Sequence, residues 1–341
     1  ASHGGARAYG NAISIVSGDA TTTLESLTLA LGSRMNVYGG GLSQIGGVAE
    51  VKGTSRIEIS GSAWTNDGTL NIYGGVSGQG CVKKSEIIIN GTNIALNNVY
   101  GGGVGSNSQV LEGSYIKLSG SQIAVSGLLT GNGASGAAVL GLKKLEFNNL
   151  VTTLTGRIGS FDQLTVNENS LVTFSKEQNL SEIGNMTFIV TQDGSANNGQ
   201  ITFANGVSDW GAMSFSILAE NGINIISSYN LLTVSSGSLT ALSGHNVTLN
   251  FGASMQSTIM LGEYVTFDKY SVGLILTNDD KTLSLDIKAA AATTSFALGS
   301  ESNFSDISQM SNSLALEALP GSSASDTLLE NENKKINGLL A

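Results

Sequence analysis

A tyrosine-glycine signature recurs three times in this chain, as Val37-Tyr38-Gly39-Gly40-Gly41, Ile72-Tyr73-Gly74-Gly75 and Val99-Tyr100-Gly101-Gly102-Gly103. Each copy is followed by a polar stretch and then by a short alternating segment that also repeats: Ser55-Arg56-Ile57-Glu58-Ile59-Ser60-Gly61, Ser85-Glu86-Ile87-Ile88-Ile89-Asn90-Gly91 and Ser114-Tyr115-Ile116-Lys117-Leu118-Ser119-Gly120. A degenerate copy, Ala12-Ile13-Ser14-Ile15-Val16-Ser17-Gly18, opens the series. Similar units at a period of about 27 to 35 residues confine the chain to a solenoid, a propeller or an array.

Alternation of apolar and polar residues in each unit reads as a strand with one buried face, and the Ser-Gly, Asn-Gly or triple-glycine break after it reads as a corner. The expected strands are four to six residues long, and glycine supplies the positive φ that a sharp corner needs. Coils of this kind pile onto one another by parallel pairing and bury their inward side chains in a continuous column. Asn90-Gly91 would also suit a hairpin turn, but repeats running in one direction favour the parallel arrangement. Tyr38, Tyr73 and Tyr100, at equivalent positions, are expected to pack in line as an aromatic ladder.

Three segments follow from composition. Residues 1–142 are the glycine-rich solenoid repeats. Residues 143–288 carry longer strands, among them Lys144-Leu145-Glu146-Phe147, Leu171-Val172-Thr173-Phe174 and Gln200-Ile201-Thr202-Phe203, and close with a hairpin of Val272 to Thr277 and Thr282 to Ile287 around Asn278-Asp279-Asp280-Lys281. Such a hairpin suits the end of a stack, where an open strand edge must be covered. Residues 289–341 turn to helical spacing, with Ile307, Met310, Leu314 and Ala318 ahead of Pro320-Gly321 and a second amphipathic stretch from Asp326 to Asn337. The fold expected is all-β, a β-solenoid with a hairpin cap and a short α-helical tail.

Only 12% of the 341 residues are charged, while glycine supplies 45 positions, so the surface is neutral and rich in hydroxyls and amides. The net charge of −10 repels phosphate backbones and argues against a nucleic-acid partner. Cys81, the single cysteine, permits no internal disulfide. No run of 18 apolar residues is present, and neither a signal peptide nor an initiator methionine stands at Ala1, which suits a mature fragment.

Candidate chemistry is sparse. Gly131-Asn132-Gly133-Ala134-Ser135-Gly136 matches the dinucleotide fingerprint, but that motif needs a helix opening at its last glycine, and strand-like Lys144-Leu145-Glu146-Phe147 follows too soon. His3 and His245 are the only histidines, and neither has a patterned acid or nucleophile around it. No metal-ligand spacing is present. Asp19 and Asp67 are isolated, and Glu50, Glu58, Glu86 and Glu112 fall at non-equivalent offsets or on outward strand positions, unlike the clustered acids of glycan-cleaving β-helices. A carboxylate pair assembled from distant coils stays open as an alternative. Asp279-Asp280 reads as a turn. Asn90-Gly91-Thr92 and Asn246-Val247-Thr248 are glycosylation sequons that matter only in a source that glycosylates them. No catalytic residue, cofactor or metal is expected.

The run Tyr270-Ser271-Val272-Gly273-Leu274-Ile275-Leu276-Thr277-Asn278-Asp279-Asp280-Lys281-Thr282-Leu283-Ser284-Leu285 resembles the final hairpin of the passenger region of bacterial autotransporters. Ser313-Leu314-Ala315-Leu316-Glu317-Ala318-Leu319-Pro320-Gly321 resembles the helix and small-residue bend that lead into their barrel, although Ser322-Ser323 follows where that family carries an acid. The resemblance implies a single-stranded right-handed parallel β-helix, exposed on the surface of a Gram-negative cell or released from it, with an outer-membrane β-barrel translocator encoded downstream and the C-terminal coils as folding seed. The function it implies is adhesive and structural, with a glycan or protein ligand. The alternatives are a polysaccharide-degrading lyase or hydrolase of tailspike type and a self-associating surface module.

Overall fold

A computed structural model describes residues 2–62, 64–66, 68–191, 198–219, 226–252 and 255–290. Residues 1–291 make one compact unit. The expected helical segment lies outside the described residues, where Asp67 also falls. Among the described residues the chain is all-β, and the only helical element is the 3-10 turn Thr240–Leu242.

Parallel pairing between successive repeats organises the chain. Ser2–His3, the tyrosine-bearing strands Arg34–Tyr38, Thr69–Tyr73 and Asn98–Tyr100, then Leu128–Thr130 and Arg157–Gly159 form one six-stranded ladder in that order. A second, narrower ladder joins Ala6–Tyr9, Gly41–Gln44 and Val76–Ser77 and continues through single bridges to Val104 and Ala134. The third and largest ladder carries the alternating segments, from Val48–Gly61 through Gly80–Thr92, Gly113–Ser121 and Leu142–Leu154. From Leu142–Leu154 it branches into two parallel series. One runs through Phe161–Val166, Ile183–Ile189, Ser214–Leu218 and Asn246–Asn250. The other runs through Leu171–Phe174, Gln200–Phe203 and Ser227–Val234.

In the repeat region, strands of this ladder exceed the expected four to six residues, reaching 14 in Val48–Gly61 and 13 in Gly80–Thr92. The chain stays extended where sequence suggests a break, and the pairing absorbs the irregularity as a register shift between Val82 and Lys84. Asn90-Gly91 accordingly lies inside a long parallel strand, paired with Ser60-Gly61 on one side and Ser119-Gly120 on the other.

Register explains the core. Because side chains alternate across a strand, in-register pairing converts the repeat pattern into columns. One column reads Ile57, Ile87, Ile116, Leu145, Leu164, Met186, Phe215 and Val247, and the neighbouring one reads Ile59, Ile89, Leu118, Phe147, Val166, Phe188, Ile217 and Leu249. All sixteen side chains are buried. A separate cluster of small residues, Ala6, Ala20, Ala49, Val51, Val76, Val82, Val110 and Val139, supports the glycine-rich side. Beyond it the core enlarges with phenylalanine: Phe174 and Phe203 stack at 5.3 Å between ring centroids.

The C-terminal end changes pairing. Asn246–Asn250 meets Gln256–Met260 antiparallel, and Tyr270–Thr277 meets Thr282–Ala289 in the expected hairpin. Asn278, Asp279 and Asp280 all have positive φ, which makes this segment a turn. The returning strand Thr282–Ala289 also lies antiparallel along Ser227–Val234, covering that edge of the ladder.

Candidate functional site

The tyrosine-glycine repeats build a structural spine. Tyr38, Tyr73 and Tyr100 stack with centroids 5.0 Å apart at each step, tilted by 19° and 1°. Burial, then the neighbouring Tyr38 and Tyr100, push the Tyr73 hydroxyl up to about 12. Alongside, Asn71 donates to Asn36 at 2.9 Å and Asn98 donates to Asn71 at 2.9 Å, an amide ladder parallel to the aromatic one.

Gly41 has the positive φ expected of a corner, 110°, but the first glycine of each motif copy serves another purpose. Gly39, Gly74 and Gly101 do not have positive φ. A Cβ on them would sit 2.2, 1.8 and 2.5 Å from the hydroxyls of Ser55, Ser85 and Ser114. Those serines form an in-register buried column, and Ser55 and Ser114 donate to the carbonyls of Gly74 and Gly131 at 2.6 and 2.8 Å. Glycine is therefore required for close approach. Corner glycines of the expected kind do occur, at Gly61 and Gly120 with φ of 97° and 109°.

Charged side chains collect on the outward face of the third ladder. Arg56, Glu86, Tyr115, Lys144 and Gln163 stand in one row, and Glu58, Ile88, Lys117, Glu146 and Thr165 stand in the next. The Arg56 guanidinium contacts Glu58 at 2.6 Å and Glu86 at 3.0 Å, and Lys84 meets Glu86 at 2.7 Å. Hydrogen bonding to Glu58, opposed by burial and aided by both glutamates, raises the Arg56 pKa.

Glu146 is the hub of this face. Its carboxylate pairs with Lys117 at 3.2 Å and accepts hydrogen bonds from the Tyr115 hydroxyl, Asn148 at 3.1 Å and Asn167 at 2.9 Å. Burial alone would raise its pKa, but these donors outweigh it and hold the carboxyl below its ordinary range. The Tyr115 hydroxyl moves up, through burial and its bond to Glu146. A groove of about 520 Å³ opens here, lined by Lys84, Glu86, Tyr115, Leu142, Lys144 and Gln163 among others.

Three carboxylates, Glu86, Glu112 and Glu146, thus share the groove, which bears on the carboxylate pair left open by sequence. Acid catalysis of glycoside cleavage needs one carboxyl with a raised pKa beside an ionised one. Glu146 is shifted in the opposite direction, and its lone pairs are occupied. Glu86 is held by two cations. The cluster fastens adjacent strands together and leaves Lys144 and Gln163 facing the groove.

Glu112 pairs with Lys83 at 3.6 Å at the same groove, and the other residues singled out by sequence are dispersed. Asp19 accepts from the Thr54 amide at 2.6 Å. Glu50 is in register with Cys81, whose thiol is pushed up by burial and by that carboxylate. The backbone of His3 pairs beside Tyr38, whereas the His245 ring bonds through Nδ1 to the Met213 carbonyl at 2.7 Å. Gly131 to Gly136 belong to the glycine-rich wall: Ala134 bridges Val104, and the strand Ala138–Val139 follows in place of a helix, so the dinucleotide match has no phosphate-binding geometry. Among the described residues no three His, Cys, Asp or Glu side chains gather as a metal site, and no helix is long and apolar enough to cross a membrane.

The role of Gln178 was not visible in the sequence. Its buried side chain accepts from the Ile158 amide at 3.0 Å and donates to the Gly156 carbonyl at 3.1 Å, filling the place of a missing strand where the six-stranded ladder ends. No protein-family model, curated protein or solved structure matches the chain.

Proposed function

We propose that the parallel ladders are the walls of a single-stranded right-handed β-helix, and that this helix is a surface-displayed adhesive module of the kind found in autotransporter passengers. Its ligand is a glycan or a protein, held on the outer sheet face. The observation that carries the proposal is the in-register array of outward polar side chains from Arg56 to Thr248, mounted over two uninterrupted core columns. An array fixed at strand spacing is pre-organised, so little ordering entropy opposes binding. Support also comes from Glu146, whose bonds fix the face in shape and whose lowered pKa makes it a poor general acid.

The display role rests on the resemblance of Tyr270 to Leu285 to a passenger hairpin, and it places the chain outside a Gram-negative cell with a barrel encoded downstream. The test is binding of the intact 341-residue chain to glycan and protein panels, with reducing-end release measured on the same polysaccharides. Saturable binding without release is expected. Depolymerisation, or no retention on either panel, would overturn the proposal.

A further inference from the structure

The second branch of the large ladder carries a different surface. Thr153, Thr173, Thr202 and Thr233 follow one another in register on Leu142–Leu154, Leu171–Phe174, Gln200–Phe203 and Ser227–Val234. Adjacent members are one strand step apart, about 4.8 Å. Their hydroxyls make no hydrogen bond to a described residue. Beside them runs a row of Val151, Leu171 and Gln200, in which Val151 is 51% and Leu171 48% exposed. Gln122 and Ala124 complete a shallow groove of about 460 Å³ over Val151, Thr153, Leu171 and Thr173. Every side chain of this strip is uncharged.

We propose that this threonine ladder is the seat of a neutral, extended polysaccharide. A pyranose has a rim of hydroxyls and faces of C–H groups, and the strip offers the complement of both: free hydroxyls in one row and exposed aliphatic side chains in the next. Absence of charge selects against uronates and phosphorylated polymers, which would lose hydration without gaining a partner. The step of the ladder is close to the advance per sugar in an extended β-1,4-linked chain, whose alternate sugars are flipped, so equivalent contacts recur at every second strand and add by multivalency. The inference rests on the adhesive reading and names its ligand class.

Affinity electrophoresis of the full chain through gels containing soluble β-1,4-glucan or β-1,4-mannan, with polygalacturonate as the anionic comparison, tests it. Thr173→Val combined with Thr202→Val removes two hydroxyls while keeping shape and strand preference. Retardation of the wild-type chain by a neutral polymer is expected, with at least a tenfold weaker dissociation constant for the double variant and an unchanged melting temperature. Equal retardation of both proteins, stronger retardation by polygalacturonate, or no retardation by either neutral polymer would overturn it. A chain that binds elsewhere on the panels but passes these gels freely would sink the threonine site alone and leave the adhesive reading standing.

Discussion

At the scale of single residues, small side chains and shared hydrogen bonds fix how closely the paired segments approach. Gly74 is the sharpest case, because the Ser85 hydroxyl occupies the space of its absent Cβ. Gly74→Ala is expected to destabilise the chain by about 1–3 kcal/mol through overpacking. Gly18→Ala, where a Cβ meets open space and φ is not positive, should leave the melting temperature unchanged or slightly raised. Equal effects of the two in thermal melts would contradict the close-approach account. Glu146 yields a pH signature. Its lowered pKa makes its stabilisation fully present above the ordinary value of 4.5 and lost as the pH falls through the lowered one. The melting temperature of Glu146→Gln should therefore decline less than that of the wild type on acidification below pH 4.5, whereas parallel declines would refute the assignment.

Elements show which features local sequence can announce. The tyrosine stack and the closing hairpin were legible because each is written in consecutive residues that recur or alternate. Strand lengths were not, since an extended corner and a glycine break look alike until the partner strand is present. The hub at Glu146 was hidden for a related reason: its donors Tyr115 and Lys117 come from the neighbouring strand Gly113–Ser121 and Asn167 from a later loop, so no spacing within one repeat reveals it. Gln178 is the clearest example of a tertiary role without a local signal, as it caps the edge of Arg157–Gly159 from the following turn. Gln178→Ala leaves the Ile158 amide and the Gly156 carbonyl buried without that partner, at an expected cost of about 1–3 kcal/mol. Hydrogen exchange should show faster exchange confined first to Ile158 and its neighbours, and a uniform change across the chain would argue against an edge cap.

For the whole molecule, stability and the function proposed for it both depend on one property, the parallel in-register pairing of strands. It generates the two core columns, sets the tyrosines and serines in line, and spaces the outer rows, including the threonine ladder. A slip of two residues would keep every side chain on its own face yet break the Arg56–Glu86 contact and misalign the stack. Disulfide trapping tests the register directly, since residues paired across neighbouring strands have Cα atoms within bridging range whereas pairs two residues off register are poorly placed. In a Cys81→Ser background, Thr187→Cys with Ser216→Cys should cross-link under mild oxidation, and Thr187→Cys with Ser214→Cys should not. Cross-linking of the second pair in preference to the first, or of neither, would contradict the stacking on which the whole account stands.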